Sequence, residues 1–316
     1  MYDIVDAIRQ GHVRTIARAI TLVESGGEAA ASLIDALYPY TGGAWRIGIT
    51  GPPGSGKSTL VNQLIRHYRA QGKKVGVVAV DPSSPFTGGA LLGDRVRMAE
   101  RYTDEGVFFR SLAARGALGG LSEAAESVAD VLDAAGYDII LLETVGVGQS
   151  EIEVVHIADT VVVVLVPESG DAVQAMKAGL MEIADIFCIN KADHPEAAAL
   201  ERALRAMLQL RSYAPEEWKP LVVETVATQG KVQALVDALK KHYAYLHQTG
   251  GWEEHRRERL LRRVERLVVA EWTRRFWTSE RQQKLRQQIA SLDVAQRMPY
   301  QLARAVLESS RESSEN

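Results

Sequence analysis

One nine-residue motif constrains the fold of this chain more than any other feature. Gly51-Pro52-Pro53-Gly54-Ser55-Gly56-Lys57-Ser58-Thr59 satisfies the pattern G-x-x-x-x-G-K-[ST], and it follows the β-type run Arg46–Thr50 and opens a helical stretch. Such a loop wraps a polyphosphate in backbone N–H groups, and the helix N-terminus adds partial positive charge. The sequence therefore predicts a phosphate-binding loop, with Lys57 on the β- and γ-phosphates and the Ser58 hydroxyl on Mg²⁺.

Seven β-type runs alternate with helical stretches along the chain. Several are continuous aliphatic runs, as expected of strands buried on both faces. The alternation predicts an α/β fold, a P-loop NTPase with a doubly wound, mostly parallel sheet and N- and C-terminal helical extensions. The predicted strands are Arg46–Thr50, Val75–Val80, Val107–Leu112, Asp138–Leu142, Val161–Val166, Ile186–Asn190 and Leu221–Thr225. The predicted crossover helices are Ser58–Ala70, Leu121–Ala135, Ala172–Ile183 and Pro195–Leu210.

A second motif predicts the base of the nucleotide. Asn190-Lys191-Ala192-Asp193 lies at a strand end, on the sheet edge where doubly wound folds bind ligands. The Asp193 carboxylate can accept from N1–H and the 2-amino group of guanine, which adenine lacks, and the stem of Lys191 can cover the base. A site built for such pairing rejects the analogue by roughly 10⁴ or more. We therefore predict GTP, with Val226-Ala227-Thr228 completing the base pocket through backbone N–H groups.

Three acidic residues lie where they could serve a magnesium ion. Asp81 and Glu143 follow predicted strands, and Asp94 follows a glycine-rich stretch. Mg²⁺ prefers oxygen ligands and keeps several waters, so one or two direct carboxylates suffice. We predict these acids on the magnesium side of the phosphates, with Gly146 beside the γ-phosphate. The alternative for each acid is an ordinary solvated carboxylate.

The segments that flank the predicted sheet are helical. We predict a helical N-terminal segment over 1–43, a P-loop GTPase domain over 44–248 and a C-terminal helical dimerisation arm over 249–316. The arm carries an apolar stripe, which either the N-terminal helices or a second subunit must cover. Most of its arginines are interpreted as a solvated face. The stripe consists of Leu260, Leu261, Val264, Leu267, Val268 and Trp272.

Composition excludes several other classes of protein. The net charge of -3 gives no electrostatic reason to expect nucleic acid as a partner. No apolar stretch reaches the roughly 20 residues that a membrane span needs, and the first residues do not form a secretion signal. The single cysteine, Cys188, lies in an apolar run, which predicts a buried, inert thiol and excludes disulfides. We expect a cytoplasmic protein with no membrane partner.

Within residues 46–193, eight segments carry a resemblance to one known family: Asp81–Pro85, Gly88–Met98, Arg115–Leu121, Glu143–Glu151, Gly170–Gln174, Lys177–Gly179, Glu182–Asp185 and Asn190–Asp193. They are similar to the methylmalonyl-CoA mutase-associated GTPases of the MeaB/ArgK type. Two differences stand out, since Glu168 stands where glycine is expected and Val226-Ala227 stands where Ser-Ala is usual.

The resemblance implies a GTP-hydrolysing chaperone for an adenosylcobalamin-dependent acyl-CoA mutase, methylmalonyl-CoA mutase or a close relative. Such a chaperone gates cofactor loading and protects or reactivates the mutase. The resemblance further implies slow intrinsic hydrolysis that the mutase accelerates, and a homodimer formed by the C-terminal helices. Adenosylcobalamin is expected only through the partner mutase, whereas GTP or GDP and Mg²⁺ bind this chain.

Site roles also follow from the resemblance. Lys57, Asp94 and Glu143 are the expected catalytic residues; Asp81 and Asp94 are the magnesium-side acids, and Glu143 is the acid of the γ-phosphate switch. The stretch Glu168–Lys177 is similar to the additional switch of the family, in which the charged residues Glu168, Asp171 and Lys177 can exchange partners. Arg97, close to Asp94, is the alternative contact for the partner.

Two other functions remain open on the sequence. A GTPase for metal insertion would need soft or imidazole ligands, but the seven histidines form no CxxH- or HxH-type cluster, and His242 and His247 share no helical face. A nucleotide-binding structural partner would turn over GTP slowly and respond to no mutase. A kinase of amino-acid transport is disfavoured, because the chain offers neither a phosphoacceptor site nor a membrane anchor.

Overall fold

The predicted strands form one parallel sheet in the computed structural model, which describes residues 2–81, 104–113, 120–144, 156–167, 179–293 and 298–312. Each strand overlaps its predicted counterpart, so the predicted α/β class is confirmed. The strands are β1 (Trp45–Thr50), β2 (Val75–Asp81), β3 (Val107–Ala113), β4 (Ile139–Thr144), β5 (Thr160–Leu165), β6 (Ile186–Ile189) and β7 (Leu221–Glu224). Their order in the sheet is β3-β2-β4-β1-β5-β6-β7, and all neighbouring pairs are parallel.

Helices cover both faces of this sheet. Short 3-10 turns at Tyr38–Tyr40 and Ala227–Gln229 precede β1 and follow β7. In the described parts of the chain, the helices are α1 (Tyr2–Arg9), α2 (Val13–Ser25), α3 (Glu28–Leu37), α4 (Lys57–Ala70), α5 (Gly120–Ala134), α6 (Leu180–Ile183), α7 (Ala197–Leu210), α8 (Gln233–Thr249), α9 (Gly251–Phe276), α10 (Ser279–Ser291) and α11 (Pro299–Glu312). Of the predicted crossover Ala172–Ile183, only residues 179–183 lie within the described ranges.

Alternate residues of the central strands enter different apolar cores. Ile140 and Leu142 of β4 pack with α5 on one face, whereas Ile139 and Leu141 pack on the other face in the cluster that includes α4 and α8. Successive side chains of a strand point to opposite faces, so a strand that is apolar throughout must be covered on both sides. This is why the aliphatic runs of the sequence predicted a doubly wound sheet correctly.

The N-terminal helices belong to the main core. Ile16 and Ile20 of α2 and Leu37 of α3 are completely buried, in one cluster with residues of α5. Glu24 of α2 accepts two hydrogen bonds from the guanidinium of Arg110 on β3, at the edge of the sheet. The apolar face of the N-terminal segment is therefore buried against α5 and the sheet.

A buried ionic network anchors the beginning of β1. The carboxylate of Asp133 accepts hydrogen bonds from the backbone N–H groups of residues 42–44, at 2.9–3.1 Å. The Arg46 guanidinium lies 2.7 Å from Asp130 and 3.3 Å from Asp133, and all three side chains are buried. Burial alone lowers the pKa of Arg46, but Asp130, Asp133 and Asp159 outweigh it and hold the pKa above its usual value. The arginine is therefore charged, with Asp130 and Asp133 as its ion-pair partners.

The same network binds the first turns of α9. Asp159, 2% exposed, accepts from the backbone N–H of Arg46 at 2.9 Å and from Arg259 Nη2 at 3.1 Å. Arg259 also donates to the carbonyl of Ile157 at 2.9 Å, and Arg256 donates to the carbonyl of Ala44 at 2.9 Å. These two arginines are therefore not part of a solvated face, because they satisfy a buried acid and backbone carbonyls at the start of β1 and β5.

The chain divides into two compact units, Met1–Leu261 and Arg262–Asn316. The second comprises the rest of α9 with α10 and α11. In it, the Thr278 hydroxyl caps α10 by accepting from the N–H of Arg281 at 3.2 Å, which satisfies one of the free donors at a helix start. The division at residues 43 and 248 stays a prediction. Across the described part of the chain, no helix is both long and apolar enough to cross a bilayer.

Candidate nucleotide site

The predicted phosphate loop lies between β1 and α4, as its motif requires. Gly51 has φ 137°, and a Cβ atom there would lie 2.1 Å from the carbonyl oxygen of Val164. Gly56 has φ 88°, and a Cβ atom there would lie 2.3 Å from Nδ2 of Asn190. Real Cβ atoms do not approach other atoms so closely, and L-residues rarely adopt these backbone angles. Both glycines are therefore needed for the backbone path itself.

Lys57 is held inside this loop at the first position of α4. Its ammonium donates to the carbonyls of Gly51 at 2.6 Å and Pro52 at 2.9 Å, and the side chain is 7% exposed. The free N–H groups of a helix N-terminus and a buried cation together favour an anion. Thr59 lies in the first turn of the same helix. This end of α4 can therefore bind a polyphosphate.

An acid from the neighbouring strand reaches the second residue of α4. The Ser58 hydroxyl donates to Oε1 of Glu143 at 2.5 Å, and Glu143 is 3% exposed. Glu143 comes close because β4 lies beside β1, with Glu143 paired in register to Ile49. Asp81 is the last residue of β2, directly after Val80, which is paired to Thr144. The ends of β2 and β4 thus bring two of the predicted magnesium-side acids to the edge that carries the phosphate loop.

The Asn190 amide joins the phosphate loop to the predicted base loop. Its Nδ2 donates to the carbonyl of Ser55 at 2.9 Å, and its Oδ1 accepts from the N–H of Ala227 at 3.2 Å. Asn190 is 3% exposed. Both ends of this side chain are therefore engaged by backbone groups of the two loops, which the motif alone did not indicate.

The rest of the base motif follows on the surface of the same edge. Lys191 has φ 56°, the single positive φ of a non-glycine residue in the described ranges, and such outliers often occur in ligand sites. Asp193 Oδ2 lies 3.5 Å from Nε2 of Gln229, at the end of the 3-10 turn after β7. Val226 forms a bridge with Lys231, and this bridge closes the turn that contains the exposed Thr228.

Six predicted residues lie outside the described residues: Asp94, Arg97, Gly146, Glu168, Asp171 and Lys177.

The sequence analysis did not predict two residues of this site. Thr225 donates from Oγ1 to Oδ1 of Asn190 at 3.1 Å, and its place at the end of a predicted strand was a usable signal. Gln63 of α4 donates from Nε2 to the carbonyl of Ala227 at 3.0 Å, and no motif marks it. The site is therefore cross-linked by more side chains than the two motifs contain.

The cysteine and two of the histidines contact other side chains of the fold. Burial raises the pKa of Cys188 to about 12, and its thiol lies 3.2 Å from the Thr225 hydroxyl, so the prediction of a buried thiol is confirmed. His242 is buried against Trp218 and bonded to Thr160, whereas His247 stacks on Trp252. In the part of the chain that the structure describes, no cluster of three or more histidine, cysteine or acidic side chains could hold a metal ion.

Comparison with known proteins gives matches over most of the chain. The family model described as methylmalonyl Co-A mutase-associated GTPase MeaB matches residues 16–281. A putative GTPase of Pyrococcus abyssi (strain GE5 / Orsay) is 52% identical over 269 residues, which cover 84% of this chain and 83% of that protein. GTPase ArgK of Escherichia coli (strain K12) is 41% identical over 229 residues, or 70% and 69% of the two chains. Among solved structures, an LAO/AO transport system kinase is similar with a TM-score of 0.75 and 28% identity, covering 98% of this chain and 97% of its own.

Proposed function

This chain belongs to the family of methylmalonyl Co-A mutase-associated GTPases, MeaB, and we propose that it is a chaperone that gates adenosylcobalamin loading into an acyl-CoA mutase and protects or reactivates that enzyme. The chain is a GTPase, since its relatives are GTPases and its fold is that of P-loop GTPases. The observation that carries the proposal is the family match over residues 16–281, together with a phosphate loop and a base loop cross-linked on one sheet edge. This chain would then be specific for its partner protein and not for a further small molecule, because GTP is the one small substrate that the site implies.

In the proposed mechanism, the backbone N–H groups of Gly54–Thr59 bind the phosphates and the Asp193 carboxylate binds the guanine edge. Lys57 neutralises the charge that develops on the transferred phosphoryl group. The oxygen donors fit Mg²⁺, since the Ser58 hydroxyl and the Glu143 carboxylate meet at 2.5 Å and Asp81 ends a strand at the same edge. Mg²⁺ bound there would offset phosphate charge. Asp94 would complete the acids, and Gly146 would bind the γ-phosphate through its N–H.

We propose that the segment Glu168–Lys177 communicates the nucleotide state to the mutase. It follows β5 in the sequence, and β5 is parallel to β1 and ends at the edge that carries the phosphate loop. Switch segments of nucleotide hydrolases can gain or lose order with the γ-phosphate. Coupling is reciprocal, so the nucleotide alters mutase affinity by the same factor by which the mutase alters nucleotide affinity.

Stimulation by a mutase is the direct test. We expect a purified adenosylcobalamin-dependent acyl-CoA mutase to accelerate GTP turnover several-fold, measured as phosphate release with and without the mutase. Lys177→Ala should keep intrinsic turnover within a few-fold and lose most of the acceleration. Lys240→Ala, at an exposed lysine of α8, is the matched control and should be accelerated like the wild type. If acceleration persists in Lys177→Ala, the contact belongs near Arg97; if no such mutase accelerates the wild type, the chaperone proposal fails.

We propose a homodimer formed through α9. Val264, Val268 and Trp272 recur at intervals of four residues on this helix and are 47%, 62% and 70% exposed in the single chain. Three large apolar side chains on one helical face favour a protein partner.

Light scattering at micromolar concentration should therefore give twice the mass of one chain. Replacing Val264, Val268 and Trp272 together with serine should shift the protein toward the monomer while GDP binding is retained, because the nucleotide loops lie elsewhere in the sequence. Leu210→Ser is the control, since Leu210 is 87% exposed at the end of α7. A wild-type monomer under these conditions would contradict the dimer.

A further inference from the structure

We propose that Gln63 is a positioning residue that couples the phosphate half of the site to the base half. In this role it would set how long a guanine nucleotide stays bound and how well adenine is rejected. The inference rests on the proposed assignment of Ala227 and Asp193 to the base pocket.

The contact that suggests this role joins two distant segments. Gln63 lies on α4, the helix that begins at Lys57, and its Nε2 donates to the carbonyl of Ala227 at 3.0 Å. Its Oε1 would lie 3.9 Å from a Cβ atom built on Gly230, so the amide extends along the turn that follows β7. The side chain therefore bridges the phosphate-binding helix and the base loop.

A second side chain, that of Asn190, contacts the backbone N–H of Ala227. The N–H of Ala227 donates to Oδ1 of Asn190, and Nδ2 of Asn190 donates to the carbonyl of Ser55 in the phosphate loop. Ala227 is 2% exposed, and its carbonyl also accepts from the N–H of Gly230 at 3.1 Å, within the turn itself. The bonds form a closed ring that runs from the phosphate loop through Asn190, Ala227 and Gln63 into α4 and back. Asn190 belongs to a known motif, but Gln63 is the member that closes the ring.

The ring also reaches the base-reading acid. Ala227 opens the 3-10 turn Ala227–Gln229, and Nε2 of Gln229 lies 3.5 Å from Oδ2 of Asp193. Removing the Gln63 amide would leave the buried Ala227 carbonyl with the Gly230 N–H as its donor and without the bond that ties the turn to α4, which favours other positions of the turn. When only a fraction of molecules holds the competent arrangement, apparent affinity falls by that fraction. Guanine contacts would suffer, whereas phosphate contacts made by the loop itself would not.

The test compares release and base discrimination in Gln63→Met, which keeps the length of the side chain without its amide. We expect a fluorescent GDP to dissociate about three- to ten-fold faster, the range that corresponds to one net hydrogen bond. The ratio of GDP affinity to ADP affinity, measured by calorimetry, should fall by a similar factor. Gln233→Met is the matched control, because Gln233 of α8 bonds to Asp237 on its own helix. Asp193→Asn is the positive control for lost discrimination.

Two results would overturn the proposal. Wild-type release from Gln63→Met would show that the bond does not hold the nucleotide, and an equal loss of GDP and ADP affinity would reduce Gln63 to general support of the loop. If the wild type itself binds ADP as well as GDP, the base-pocket assignment fails first, which is a distinguishable outcome. Thermal unfolding without nucleotide checks that the variant is folded. Gln63→Glu, which turns an acceptor toward the Ala227 carbonyl, should give the same loss if the methionine variant does not fold.

Discussion

Replacing Lys57 with alanine is expected to lower GTP turnover by about a hundred- to a thousand-fold, the effect of removing one preorganised charge-stabilising donor. The lysine begins α4, and its ammonium lies within the phosphate loop, 2.6 Å from the Gly51 carbonyl. Because this ammonium already lies in the loop, it can meet a developing negative charge without rearrangement. Its loss therefore removes stabilisation that solvent replaces poorly. Phosphate release at saturating GTP and Mg²⁺ measures the effect.

The control for this variant is the same replacement at a lysine on the surface. Lys73→Ala removes a half-exposed ammonium that pairs with Asp138 at 2.9 Å, and turnover should stay close to that of the wild type. Thermal unfolding of both variants separates catalysis from folding. Turnover of Lys57→Ala within a few-fold of the wild type would contradict the assigned role.

Replacing Asp159 with alanine is expected to lower the free energy of unfolding by about 3–5 kcal/mol, the cost of removing one partner from a buried ion pair. The carboxylate accepts from the Arg46 backbone and from Arg259, and both of these residues are more than nine-tenths buried. Without it, the Arg259 guanidinium would keep its charge in a buried place without the carboxylate that pairs with it. Urea unfolding followed by tryptophan fluorescence measures the change.

Glu201→Ala provides the contrast for the Asp159 variant. Glu201 pairs with Arg205 one turn later on α7, and the two side chains are 31% and 55% exposed. Exposed pairs of this kind contribute about 0.3–0.5 kcal/mol. If Asp159→Ala cost no more than Glu201→Ala, the buried network would not stabilise the fold, and the packing of α9 would have to be explained by its apolar contacts.

The sequence predicted those parts of the molecule well in which a local physical constraint permits a single backbone structure. The glycines of the phosphate loop are an example, since Gly51 and Gly56 leave no space for a Cβ atom. The aliphatic strands are another, because a run such as Ile139–Thr144 can be satisfied only between two layers of helices. In both cases the physical constraint acts over a few neighbouring residues and is therefore visible in the sequence.

The contacts that the sequence did not predict join residues far apart in the chain. Arg259 lies 100 residues from Asp159, and Gln63 lies 164 residues from Ala227. Arginine and glutamine are ordinary surface residues, and nothing in the local pattern distinguishes a solvated one from one that is bonded to a distant buried group. For this reason the arginines of α9 were interpreted mostly as a solvated face, although Arg256 and Arg259 are engaged with the core.

The position of the N-terminal helices has a consequence for how the chain folds during synthesis. Glu24 meets its partner Arg110 only after 86 further residues have been made, and the N–H groups of residues 42–44 wait about 90 residues for Asp133. Long separations between contacting residues slow folding, because the loop must close before the contact stabilises it. Those faces of the first three helices that pack against β3 and α5 therefore stay uncovered until these two elements leave the ribosome. This interval exposes apolar surface to other chains, so temperature and chaperones should affect the yield of folded protein before they affect its activity.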